Sequence, residues 1–113
     1  MQIIRQTLSI QGLSAMAADT FGNLVKAVVD VDREILAVDA ELHSDLEALL
    51  LQDGSEQKSL WGVNLYPEKQ DDDFVEFDSL INIRPSVNNS SRGVENQETR
   101  KRICAIITKS IKL

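Results

Sequence analysis

A chain of 113 residues with 42% apolar side chains can build one hydrophobic core without a disulfide framework or a structural metal. Twelve basic against eighteen acidic residues leave a net charge of −6, which argues against a general nucleic-acid binder and against a polybasic membrane-surface protein. The single cysteine, Cys104, excludes an intramolecular disulfide and any cysteine-based zinc cluster. With no basic N-terminal segment leading into an apolar run and a cleavage site, it points to a reducing cytoplasm. No apolar run approaches the length needed to span a bilayer.

In chain order, a short stretch with Ile3 and Ile4 precedes Ser9, which is placed to cap a helix carrying Leu13, Met16, Ala17 and Phe21 at helical spacing. Gly22 supplies the left-handed residue that ends it. The aliphatic, valine-rich block that follows predicts two strands, 24–31 and 34–42, with a tight turn near Asp32 and Arg33. Ser44 and Glu47 have the spacing of a capping box, and Leu46, Leu49 and Leu50 give a short helix closed by Gly54. A strand turning at Asp53-Gly54 is the competing reading.

Leu60 to Tyr66 predicts a strand with Trp61, Val63 and Leu65 on one face, ended by Pro67. Glu68 to Asp73 is an acidic loop. From Phe74 to Ile83, Val75, Phe77, Ile81 and Ile83 alternate with polar residues, which predicts a further strand stopped by Pro85. Ser86 to Gly93 is a polar loop. Asn96 caps a last helix running to about Lys112, with Ile103, Ile106, Ile107 and Ile111 as its buried stripe. No repeat or linker divides the chain, so the expectation is one domain over residues 1–113 with an α+β fold in the order α-β-β-α-β-β-α. It is a four-stranded, mainly antiparallel sheet with helices packed on one face.

The uncovered face of such a sheet would be polar. Leu36, Val38, Ala40 and Leu42 would point inward, leaving Asp39, Glu41 and His43 outward, joined by Asn64 from the third strand and Asp78, Asn82 and Arg84 from the fourth. Together with Arg92 in the following loop, these eight residues are the ligand-binding candidates. Oxygen donors with one imidazole would suit a hard or borderline divalent metal, but one histidine among scattered carboxylates equally describes a solvated face, and no metal ligand is assigned. Glu41 or Asp78 working with His43, and Arg84 holding an anion, would make an acid/base pair. No activated nucleophile accompanies them. Ser90 and Ser91 lie in a loop, and Cys104 borders an apolar stripe.

The segments AVDAELH (37–43), LWGVNLYP (60–67), EFDSLINIRP (76–85) and NNSSRGVEN (88–96) resemble those of a family of small prokaryotic proteins of unknown function. The resemblance runs over nearly the whole chain. It implies a self-contained domain and brings no activity, cofactor or catalytic residue with it.

Charge divides unevenly. Residues 1–83 carry five basic and sixteen acidic groups, and residues 84–113 seven basic and two acidic. The basic part can pack back on the acidic body, meet a second copy, or hold a small anionic ligand between Arg84 and Arg92. Trp61 and Phe77 read as core residues rather than a nucleic-acid platform. The expected function is that of a small cytoplasmic binding or assembly module, with self-association into a dimer as the leading partnership. A small metal-dependent or acid/base enzyme working around Glu41, His43, Asp78 and Arg84 is the alternative.

Overall fold

The computed structural model describes residues 1–113. Its centre is the hairpin of β3 (Val25–Asp30) and β4 (Ile35–Val38), whose turn is organised by Asp30. One carboxylate oxygen of this fully buried residue accepts hydrogen bonds from the backbone N–H groups of Asp32 and Arg33, at 2.9 and 3.0 Å. Glu34 then adopts a left-handed φ of 57° that turns the chain into β4. The expected strand to residue 42 stops at Val38, because Asp39, at φ 75°, bends the chain away from the sheet.

Two strands border the hairpin. β1 (Gln2–Ile4) pairs with β4, and β5 (Leu60–Leu65) pairs with β3 along its whole length. β6 (Val75–Glu76) adds a short ladder to β5, giving the order β1-β4-β3-β5-β6 with every pairing antiparallel. The sheet therefore has five strands rather than four, the extra one coming from the N-terminal stretch. The long strand expected from Phe74 to Ile83 is present only at Val75 and Glu76. Before it, Asp71–Phe74 forms a 3-10 turn, and after it Leu80–Asn82 forms another.

Helices cover both faces of the sheet, not one. On one face α1 (Ile10–Asp19) and α3 (Gln97–Ser110) pack Leu13, Ala17, Ile103, Ile106 and Ile107 against Val25, Ala27, Val29, Leu36, Val38, Trp61, Val63 and Leu65. On the other, α2 (His43–Gln52) seats Leu46 and Leu50 on Val28, Ile35, Ala37 and Leu60. The cause is the near-continuous apolar character of the central strands: every residue of β4 and β5 is buried. A sheet apolar on both sides needs two covers.

The helix ends follow local chemistry. Ser9 Oγ accepts from Gly12 N at 3.0 Å, Gly22 donates its N–H to Ala17 O at 2.6 Å with φ 94°, and Asn96 Oδ1 accepts from Thr99 N at 3.0 Å. The Ser44–Glu47 box does not form, because α2 begins at His43 with Leu42 as N-cap and no side-chain cap. α3 ends at Ser110, two residues before the expected limit. Ile111–Lys112 becomes β7, which pairs in parallel with β2 (Leu8–Ser9) and joins the two ends of the chain. No helix is long and apolar enough to cross a membrane.

Candidate functional site

The eight candidates, seven expected on an open polar face and Arg92 in the loop beside it, take three different positions. Asn82 and Arg84 complete the outer edge of β5. Asn82 Oδ1 accepts from Gly62 N at 2.8 Å, while its Nδ2 donates to Gly62 O at 3.0 Å and to Arg92 O at 2.9 Å, so one side-chain amide replaces a strand residue. Below it the Arg84 guanidinium donates to the carbonyls of Gln57 and Leu60 and lies 4.7 Å over the Trp61 ring. Burial lowers the Arg84 pKa, and the Glu47 carboxylate opposes that shift. Asn89, unremarked in the sequence, donates from Nδ2 to the carbonyls of Asn82, Ser91 and Gly93 and accepts from Glu95 N. These amides hold the 79–95 segment in place of the expected strand. The Arg84 guanidinium is turned onto backbone carbonyls and that of Arg92 onto Asp78.

A second group sits where β6 leaves β5. Asn64 Nδ2 donates to Glu76 Oε1 at 2.8 Å and to the Asp78 carbonyl at 3.4 Å, and Tyr66 donates its hydroxyl to the same Glu76 oxygen at 3.0 Å. Arg92 Nε donates to Asp78 Oδ1 at 2.6 Å in an exposed pair. His43 opens α2, buried, with Nε2 2.8 Å from the Val63 carbonyl, so that nitrogen carries the proton. Burial depresses its pKa; Lys26 and Arg92 act in the same direction, and the Val63 hydrogen bond and Asp78 against it. Its hydrogen bond goes to neither Asp78 nor Glu41.

Asp39 and Glu41 stand apart. They lie on the segment linking β4 to α2, Glu41 is exposed, and neither side chain bonds to the other candidates. The structure thus joins Asn64, Asp78 and Arg92, places His43 within their field, and separates the rest. No three His, Cys, Asp or Glu side chains converge in a way that could hold a metal ion.

A larger concavity lies on the opposite side of the sheet. Pro67 ends β5, and Tyr66 N donates to Phe74 O at 2.9 Å, closing residues 67–73 into a projecting loop. Between this loop and α3 runs a groove of about 1240 Å³. Phe74, Val75, Phe77, Cys104, Ile107 and Ile111 supply its apolar lining. Glu68, Asp71 and Asp72 form one lip, and Arg100 and Lys112 lie on the other. Arg100 is held 4.7 Å over the Phe77 ring and donates to Val94 O. Burial and the Asp72 charge push the Cys104 thiol up, so it stays a thiol at neutral pH. Reading Phe74–Ile83 as a core strand concealed this site; the one signal for it is an acidic run set directly before two aromatics.

The family described as "Protein of unknown function (DUF5674)" matches residues 2–110, and the chain belongs to it. No match is found among curated proteins or among solved structures.

Proposed function

Starting from membership of a family without an assigned activity, we propose that this protein is a small binding module whose ligand seats in the groove between the 67–77 segment and α3. The observation that carries this reading is the groove itself: an apolar floor, left half-buried at Phe74, Val75, Phe77 and Cys104, rimmed by charge. Concave, mainly apolar sites with a few polar groups at the rim are the usual form of a ligand site. The sheet face that sequence alone favours is occupied by α2 and the 79–95 segment, with Asn82 and Arg84 bonded to backbone groups and Asn64 and Asp78 to the Glu76 and Arg92 side chains. An unpaired thiol lining the groove also suits a reducing cytoplasm.

Amide chemical shifts recorded while small amphiphilic fragments are titrated in provide the test. Shifts are expected on residues 67–77 and 97–112. Shifts confined to His43, Asn64 and Asp78 would instead favour the acid/base alternative, whose support is a fixed, neutral imidazole among opposing charges. Shifts on neither region would remove the binding reading.

A further inference from the structure

The identity of the partner follows from the charges that remain unspent. The basic C-terminal part is largely engaged within the molecule: Arg92 pairs with Asp78, Arg102 with Asp32, Lys109 with Glu34 and Lys101 with Glu98. The projecting loop is different. Glu68, Asp71, Asp72 and Asp73 are all exposed and none takes part in an ion pair, while the nearby Lys69 is turned onto the Tyr66 ring at 4.5 Å. An apolar floor therefore lies beside an anionic lip with no ion-pair partner; of the cations lining the groove, Arg100 is held on the Phe77 ring and Val94 O and Lys69 on Tyr66, which leaves Lys112 at the far end.

Size narrows the choice further. The groove, about 1240 Å³, exceeds the roughly 300–1,000 Å³ of small-molecule pockets. It follows α3 from Gln97 to Thr108, about 17 Å at ~1.5 Å per residue or about three helical turns, and continues past the helix onto Ile111 and Lys112. Nucleic acid is disfavoured because the lip repels phosphates. The basic helix of a second copy does not supply such an element, since its apolar stripe, Ile103, Ile106 and Ile107, is buried in its own core.

We propose that the groove docks a cationic amphipathic segment of another protein. The segment lies along α3, with its apolar face on the half-buried Phe74, Val75, Phe77 and Cys104 and its lysine or arginine side chains toward Asp71, Asp72 and Glu68. This rests on the binding-module reading and names the partner's chemistry.

The experiment uses a fluorescein-labelled 15-residue peptide of leucine and lysine at helical spacing, and the same peptide with glutamate in place of lysine. Fluorescence anisotropy is followed with the full chain and with the Glu68→Gln, Asp71→Asn, Asp72→Asn triple variant. These three sites are exposed, so the fold is retained, and Trp61 emission verifies it. The lysine peptide is expected to bind, about tenfold or more weakly to the triple variant and in high salt, and the glutamate peptide not at all. Equal binding of both peptides, or unchanged binding to the triple variant, overturns the proposal. So does a dimer in sedimentation that the triple variant dissociates, which would make a second copy the occupant. If neither peptide binds while small amphiphiles still shift groove amides, the cationic-partner proposal fails and the binding module stands; if those shifts are also absent, both fail.

Discussion

At the scale of single residues, three polar groups that look functional in the sequence, His43, Asn82 and Arg84, serve the backbone. Gly62 shows why the edge of β5 has the form it does. A Cβ at this position would lie 2.6 Å from both Cβ and Oγ of Ser79, so only glycine lets the 79–82 turn approach closely enough for Asn82 to bond both polar groups of Gly62. Gly62→Ala is expected to cost about 1–3 kcal/mol through overpacking, and Ser79→Gly in that background to recover part of it. Asn82→Ala leaves Gly62 N–H and two carbonyls without their partner and should cost about 3 kcal/mol or more. Urea unfolding followed by the fluorescence of Trp61, the single tryptophan and itself buried, measures all three.

His43 gives a pH dependence with a defined sign. Its pKa is depressed below the ordinary 6.5 by burial, so between the folded value and 6.5 the unfolded chain binds the proton and the folded chain does not. Stability from this residue is complete above pH 6.5 and falls as pH drops from there toward the folded pKa. His43→Gln keeps a donor for the Val63 carbonyl and removes the titration. Urea midpoints at pH 7.5 and 5.5 should therefore differ less in the variant than in the natural chain, and an unchanged difference would refute the assignment.

At the scale of elements, the chain ends are held by the parallel pairing of Leu8–Ser9 with Ile111–Lys112. Ile111 is buried against the same core as α1 and α3, so its stripe continues past the helix into a strand. Ile111→Ala is expected to cost about 2–5 kcal/mol. Hydrogen exchange should then accelerate at residues 8–9 and 111–112 first. Uniform acceleration across β3 and β5 would show that this clasp is not an independent unit.

For the whole molecule, charge is distributed so that the acidic body and basic C-terminal part meet mainly within one chain. Arg102 and Lys109 of α3 reach Asp32 and Glu34 in the β3–β4 turn, and Arg5 and Arg33 converge on Asp53 at the end of α2. Such exposed pairs add little stability, but they spend the cations. The exposed acids of the 68–73 loop take no part in these pairs, and in the proposed reading they are what a partner meets.

Much of this architecture was legible in local patterns. Ser9, Gly22, Asn96 and Gly54 mark helix ends, the Asp32–Arg33 turn marks the hairpin, and Trp61, Val63 and Leu65 share a face as their alternation requires. These are matters of short-range sterics, capping and strand periodicity, which a sequence carries by itself. The α+β class and the order of the main helices and strands follow from them. The fates of Phe74–Ile83 and of the candidate site residues do not. Alternation there is real, yet Ser79 against Gly62 and the amides of Asn82 and Asn89 replace strand pairing with a folded segment. Whether an alternating run pairs as a strand depends on what its neighbour presents at that edge. Likewise the continuous apolar run of β4 admits a second covering layer, but only the seating of α2 shows that the expected open face is closed. Long-range packing decides which polar residues serve the backbone and which meet solvent, and it leaves an apolar groove open along α3.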